Sequence, residues 1–500
     1  MNYRKEINMK LKIRLISLLL IFCFVFSLTG CSDTKDAYIY FELPDTPMTL
    51  DPQVASSDSE LLIIRNIYEG LLRKDSKGKI VCGVAESYKK NGLVYTFNIK
   101  KDAKWHNGDT LEAKDFVFAF RRAVDPKTKS PFASRLFCIK NAEQINKGVL
   151  ATDNLGVKAI DSKTLEITLS YESELFEETL TSSVTMPCNE EFFYSSSGKY
   201  GLLTKAIFCN GSYRITRWRK DPFGIRLYRW DEYVGDFKAE NAAVFITCDE
   251  EPAIEELEKG SVDMAFIDSS LTDSAHSLSL KTNNLENICW VLTLGNEFSA
   301  DMRKALSLLI DSSVYSESIK TGYATADSLF PAVLDRNSET LNPHKYDPVL
   351  AKQLYLKEIK KLENGQFPTD IVLYYYDDPN VKDVVTDIVG HWQGNLSAFV
   401  NIEAVSSPDL LTSQLNDQSY AMSLFPVRAD SADLNEYLKK FGVTQKVSTL
   451  NDTQNLILKS DNIIPILFQN TVIAYAPDLS EVITEPSNGY IDFSFIIKED

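Results

Sequence analysis

The chain of 500 residues is 44% apolar and 25% charged, a globular composition rather than a disordered or fibrous one. Its formal net charge of −17 repels phosphate backbones, which argues against nucleic acid as a partner. His106, His276, His344 and His391 lie far apart and no CxxC occurs, so spacing implies no metal site, and no cofactor is expected.

In chain order, Arg4, Lys5, Lys10, Lys12 and Arg14 lead into an apolar run from Leu15 to Leu28. That run falls short of the roughly 20 residues a membrane span needs, and a basic segment before a short apolar one is the layout of a secretion signal. The four residues "LTGC", ending at Cys31, resemble a bacterial lipobox, in which Cys31 becomes the lipidated first residue of the mature protein. The plainer alternative is a signal that merely contains cysteines, since Cys23 sits in the same run. Removal of residues 1–30 leaves enough chain for two or three domains at roughly 100–200 residues each. Cys82, Cys138, Cys188, Cys209, Cys248 and Cys289 remain in the body, scattered through a chain too large to need staples. Few or no obligatory disulfides are expected.

A polar tether near residues 32–36 precedes "AYIYFEL", a strand, and "ELLIIRNIYEGLL", a helix over residues 60–72 with Leu61, Ile64, Ile67 and Leu71 on one face. "DSKGK" is a turn, and "LVYTFNIK" alternates as a half-buried strand does. "DFVFAFRRAVD" is a helix closed by Asp125-Pro126, and "TLEITLS" alternates again, so the first third mixes α and β. From about residue 285 the order becomes helix "MRKALSLLID", strand "DIVLYYYDD", helix "KDVVTDIVGHWQGNL", strand "FVNIEAVS", helix "PDLLTSQL" and strand "YAMSLFPV". Such alternation predicts a parallel sheet covered on both faces, with ligands outside the carboxyl ends of its strands. The loop "RADSAD" after the last strand is one such place.

The segments "TLDPQVASSDSELLIIRNIYEGLLRKDSKGKIVCGVAESY", "LVYTFNIKKDAKWHNGDTLEAKDFVFAFRRAVDPKTKSPFA", "LGVKAIDSKTLEITL", "CNGSYRITRW", "MRKALSLLID" and "YDPVLAKQLY" occur in the order of, and resemble, the oligopeptide- and dipeptide-binding proteins of ABC importers. The resemblance implies an α/β, bilobal fold of the periplasmic-binding-protein type, with a hinge and an α+β subdomain inserted in lobe one. Carried onto this chain, lobe one takes 36–62, 170–287 and 470–500, the insertion 63–169, and lobe two 288–469. It further implies a monomeric receptor on the outer face of the cytoplasmic membrane, held there by a lipid anchor, with a peptide as ligand and the importer's permease subunits as partners.

Relatives enclose an extended peptide through backbone hydrogen bonds and hold its amino terminus with an Asp. "YAMSLFPVRADS" matches the family segment that carries this Asp, which places Asp430 on the amine. The stretch after "LDP" lies along the peptide in relatives and points to Ser56, Ser57 and Asp58. On the residues alone, Asp430 reads first as a turn or cap residue and gains equal standing as a ligand contact only through the resemblance, while an ordinary surface loop accounts equally well for the other three. Departures are concentrated here. Pro426-Val427 replaces a Gly-Trp pair, removing a backbone donor and an aromatic wall. Arg428 is placed to pair with Asp430 or with a ligand carboxylate. Asp430 stands only 35 positions before Pro465, where relatives have a longer segment, and Val234 replaces a Trp. Altered cargo, or a surface sensor or adhesin, are the alternatives these changes raise.

An exported cell-wall enzyme is the remaining class. Ser76-Lys77-Gly78-Lys79, Lys320-Thr321-Gly322 and Ser460-Asp461-Asn462 imitate the motifs of penicillin-binding proteins. Their order is wrong, because the SDN motif should precede KTG, and Ser76 falls in a turn instead of a helix start. No GxSxG, HExxH or GxxxxGK[ST] pattern occurs. The reading is a binding protein, not an enzyme.

Overall fold

The computed structural model describes residues 38–499 except 76, 221–222, 234, 236–238, 240–241, 248–251, 312–322, 327, 331–344, 363, 406–421, 429–437, 439–440, 442–446, 448, 459–461 and 485–489. In chain order the strands are β1 (Tyr38–Glu42), the hairpin β2 (Leu72–Lys74) and β3 (Ile80–Cys82), then β4 (Ala85–Asn91), β5 (Val94–Ile99), β6 (Val157–Ala159) and β7 (Thr164–Thr168). There follow β8 (Tyr213–Lys220), β9 (Phe223–Arg229), β10 (Ala242–Ile246), β11 (Met264–Ile267), β12 (Lys281–Leu294), β13 (Tyr323–Thr325), β14 (Val372–Tyr376), β15 (Asn401–Val405), β16 (Met422–Arg428) and β17 (Ile463–Tyr475). Two short strands, β18 (Leu479–Ser480) and β19 (Ile497–Lys498), pair near the end of the chain.

Eleven of these strands form one sheet in the order β15-β14-β16-β12-β17-β11-β1-β10-β9-β8, with β13 added on β17. The sheet passes through both halves of the α/β fold because β12 and β17, of 14 and 13 residues, run antiparallel along each other from one half to the other. Along this pair the hydrophobic core changes over. Leu285 and Ile473 belong to the core of the first half, which includes Phe41, Ile63, Phe97 and Phe116, whereas Trp290 and Leu467 belong to that of the second, with Leu373, Ile388 and Trp392. We place the lobe boundary at this change. The ladder is irregular there, with a register shift between Glu286 and Ile288.

The strand expectations for "LVYTFNIK" and "TLEITLS" correspond to β5 and β7 of a four-stranded antiparallel sheet, order β4-β5-β7-β6. Three readings differ. The first helix spans Asp58–Ile67, and the chain is extended from Tyr68. The Asn210 side chain accepts from Glu69 N–H and donates to Glu69 C=O, holding that residue extended, so a tertiary contact overrides the apolar periodicity beyond Ile67. A boundary at residue 62 therefore falls inside a continuous helix. In lobe two, only β15, β14 and β16 are mutually parallel, and they join the antiparallel β12 and β17, so the sheet is mixed. The "PDLLTSQL" helix lies outside the described residues.

The inserted region is clamped to lobe one by two polar contacts, the first buried and the second part-buried. Arg122, on the helix Ala113–Val124, forms a two-pronged ion pair with Asp51 of the "LDP" stretch, at 2.6 and 3.2 Å. It also donates to Gln53 and stacks over Phe193 at 4.0 Å. Second, His106 Nε2 lies 3.0 Å from Gly211 O and its Nδ1 3.0 Å from Cys209 Sγ. Since a carbonyl only accepts, Nε2 carries the proton, Nδ1 accepts from the thiol, and the imidazole is neutral. Cys82, Cys138, Cys188, Cys209 and Cys289 are free thiols. Among the described residues no helix is long and apolar enough to cross a membrane.

Burial, with a smaller contribution from Arg214, lowers His106 from 6.5 to about 4. A histidine depressed in the folded state contributes stability above its unfolded value and loses it as pH falls, because the unfolded chain takes up the proton first. Urea unfolding should therefore show roughly 2–3 kcal/mol lost between about pH 6.5 and 4 through this residue. His106→Gln is expected to flatten the pH dependence in that window.

Candidate functional site at the lobe boundary

Strand direction fixes where a site can form. In lobe one, β1, β10 and β11 are parallel, and β11 runs antiparallel to β17, with Met264 opposite Tyr475 and Ile267 opposite Val472. Their carboxyl ends consequently point along β17 toward lobe two. In lobe two, β16 runs antiparallel to β12, with Met422 opposite Leu294 and Arg428 opposite Ile288, and β14 and β15 run parallel to β16. Their carboxyl ends point toward lobe one. Both parallel sets thus end at the irregular stretch of β12, and loops from both lobes issue there, where α/β sheets bind ligands.

On the lobe-one side, the loop after β1 is built around one buried carboxylate. Glu60 Oε1 accepts from the backbone N–H groups of Met48 and Thr49, and Oε2 from those of Ser56 and Ser57, at 2.8–3.2 Å. Ser57 caps the helix Asp58–Ile67 in a capping box with Glu60, and its hydroxyl donates to Asp45. Asp58 occupies the first turn. Ser56 is exposed, while Ser57 and Asp58 are half-buried. At the end of β1, Glu42 is buried, with Oε2 lacking a hydrogen-bond partner, and burial together with Glu256 raises its carboxyl above the usual range.

On the lobe-two side, Val427 lies opposite Cys289 and is 3% exposed, packed with Val291, Phe425 and Ile457, so its side chain is part of a core. Pro426 lies opposite Trp290. The backbone of Arg428 ends β16 level with the irregularity. Asp430, like Cys31 and Val234, lies outside the described residues, as do Ser76, residues 320–322 and residues 460–461 of the enzyme-like motifs. The sequence reading missed a polar group that tertiary structure gathers here. The buried Trp290 donates Nε1–H to Gln469 Oε1 at 2.8 Å, Gln469 pairs with Tyr323 in the ladder, and Tyr323 donates to Asp378 at 3.0 Å. Asp378 is the second residue after β14, and its position after an apolar strand was the available signal. Across the boundary, Leu175 packs against the lobe-two cluster that contains Val427.

A separate pocket of about 70 Å³ lies in lobe one between Arg65, Glu69, Tyr233 and Asp492, at the far end of the helix Asp58–Ile67 from Ser57. Tyr233 donates to Glu69 at 2.7 Å within it.

Residues 79–449 match the family model described as "Bacterial extracellular solute-binding proteins, family 5 Middle". The dipeptide-binding protein of Lactococcus lactis subsp. cremoris (strain MG1363) is 26% identical over 390 residues, covering 72% of this chain and 70% of that protein. The oligopeptide-binding protein OppA of Bacillus subtilis (strain 168) is 25% identical over 465 residues, covering 87% and 84%. The crystal structure of Haemophilus influenzae OppA in complex with RPPGFSPFR superposes with a TM-score of 0.71 at 20% identity, over 93% of this chain and 99% of that one.

Glu60→Gln turns one acceptor into an NH₂ that faces two N–H donors. Loss of about 1–3 kcal/mol of stability is expected, together with faster amide hydrogen exchange in residues 48–57 than in β5.

Proposed function

The chain belongs to the bacterial extracellular solute-binding proteins of family 5, and from that premise we propose that it is the lipid-anchored peptide receptor of an ABC importer. Members of the family are binding proteins, and the receptor needs no chemistry of its own. The observation that carries the reading is the convergence of six parallel strand ends, three from each lobe, on one irregular stretch of a shared strand pair. An extended peptide laid there meets backbone N–H and C=O groups from both sides, as in strand addition. Asp430, two residues beyond the end of β16, would take the peptide ammonium in a charge-assisted bond. Arg428 would balance Asp430 or meet a ligand carboxylate, and Ser56, Ser57 and Asp58 would border the ligand from lobe one. Val427 would act by shaping the wall rather than by touching the ligand.

The shift in register between Glu286 and Ile288 supports closure by bending at that point. Uptake energy would come from the permease partner. Cys31 would hold the receptor, as a monomer, to the outer face of the cytoplasmic membrane. A non-peptide cargo is favoured by one observation: Pro426 at the end of β16 cannot donate a backbone hydrogen bond.

Native mass spectrometry of gently purified protein is expected to reveal co-purifying peptides, and a protein that is empty and indifferent to a peptide library refutes the peptide reading. Asp430→Ala should weaken peptide binding about 10- to 100-fold by calorimetry. Cys31→Ser should move the protein from the detergent phase to the aqueous phase on detergent partition.

A further inference from the structure

The edge strand β8 of lobe one and its neighbour β9 carry a concentration of positive charge in an otherwise acidic chain. In the β8–β9 ladder, Arg214 lies opposite Tyr228, Arg217 opposite Arg226, and Arg219 opposite Gly224. Residues at these positions share one face, while Ile215, Trp218, Ile225 and Leu227 point to the core on the other. Arg214, Arg217 and Arg219 are exposed. No carboxylate is paired with these four arginines among the described residues. Among the described acids, Asp231 is engaged by Arg229 and Asp263 by Lys498, while Asp221, between the two strands, lies outside the described residues. Arg217 and Arg226 directly oppose each other, an arrangement that destabilises a sheet. Arg226 stacks over the Tyr38 ring at 4.8 Å, and the Tyr38 and Tyr228 hydroxyls are hydrogen-bonded.

Tyr38 also marks where the chain comes from. It opens β1 on this same face, and the seven-residue step back to Cys31 spans at most about 25 Å. An acyl chain on Cys31 would therefore hold the arginine face within a few Debye lengths of the bilayer. With a net charge of −17, the protein as a whole is repelled by an anionic surface, and a basic face beside the tether reverses that repulsion in one orientation.

We propose that the outer face of β8 and β9 docks lobe one onto the anionic phospholipid headgroups of the membrane that bears its anchor. The arginines bind headgroup phosphates, and Tyr38 and Tyr228 rest at the headgroup level. The inference rests on Cys31 as the anchor. That reading is tested separately by detergent partition, whereas the experiment below uses unacylated protein and reads the face alone.

The protein is the mature chain from residue 31 with Cys31→Ser, which contains every described element of the fold. Flotation with vesicles of equimolar phosphatidylglycerol and phosphatidylcholine is compared with vesicles of phosphatidylcholine alone. Binding to the anionic vesicles only, weakening steeply with salt, is expected. Each arginine near such a surface contributes about fivefold, so Arg214→Gln, Arg217→Gln, Arg219→Gln and Arg226→Gln together should lower binding more than tenfold. Replacing the exposed Lys89, Lys101, Lys127 and Lys129 by Gln removes the same charge elsewhere and should leave most of it. The arginine variant should melt no lower than the parent, since an opposed like-charge pair is removed. Equal losses in the two variants, binding to both vesicle types alike, or binding to a soluble polyanion without vesicle binding each overturn the proposal. Salt-insensitive binding of the parent protein overturns it without any variant.

Discussion

Everything in this molecule hangs on two long antiparallel strands, β12 and β17, that belong to both lobes at once. Because they pair with each other on either side of the boundary, the lobes cannot separate without breaking a ladder that runs from Lys281–Tyr475 to Thr293–Ile463. Rotation is left to the places where regular pairing lapses, between Glu286 and Ile288 and again between Trp290 and Val291, of which the first lies where the core changes over. The same pair sets the direction of every neighbouring strand. β11 docks on β17 and β16 on β12, each antiparallel to its host, so the parallel sets of the two lobes are forced to end face to face. A binding position between the lobes is a consequence of strand polarity before any side chain is considered.

Rigidity on the lobe-one side of that position comes from the stretch Leu50–Glu60. Asp51 turns inward to Arg122, Gln53 donates to the carbonyls of Val184 and Met186, and Glu60 gathers four backbone donors. Breaking one side of a buried pair like Asp51–Arg122 costs about 3–5 kcal/mol, because the remaining charge is left in a dry core flanked by Phe193 and Tyr200. That cost ties the inserted region to the loop that faces lobe two. Displacing the insertion would therefore displace the loop, although the two are separated by some seventy residues of sequence.

Local chemistry was legible wherever a short pattern determines the structure. The alternation in β5 and β7 and the amphipathic helix Ala113–Val124 could be read directly, and so in principle could the Ser57–Glu60 cap, which is an S-x-x-E box in plain view. The apolar period of the first helix ran on past Ile67 and misled, since Asn210, far away in sequence, captures the backbone of Glu69. The polar group of Trp290, Gln469, Tyr323 and Asp378 was illegible for the same reason, as its members come from four separate segments and meet only through the ladder. Val427 read as a lost aromatic wall, but its place in the pleat turns it toward Cys289 and a core. The alternating βα rhythm after residue 285 identified the parallel trio correctly and could not reveal the antiparallel strands beside it, β12 and β17, which pair across nearly two hundred residues of sequence.

Strand β1 joins these themes. Its first residue, Tyr38, lies on the arginine face, and its last, Glu42, lies at the carboxyl ends that face lobe two. Five residues of strand amount to about 17 Å, so the amino end of β1 and the carboxyl ends that face lobe two are separated by the length of a single element. A tether that enters at the amino end of β1 leaves the carboxyl ends of β1, β10 and β11 unobstructed. With the polarity that points six strand ends at one another, a tether at Cys31 of the kind proposed would join lobe one at the opposite end of β1, and that lobe would be held at the membrane while the other closed upon it.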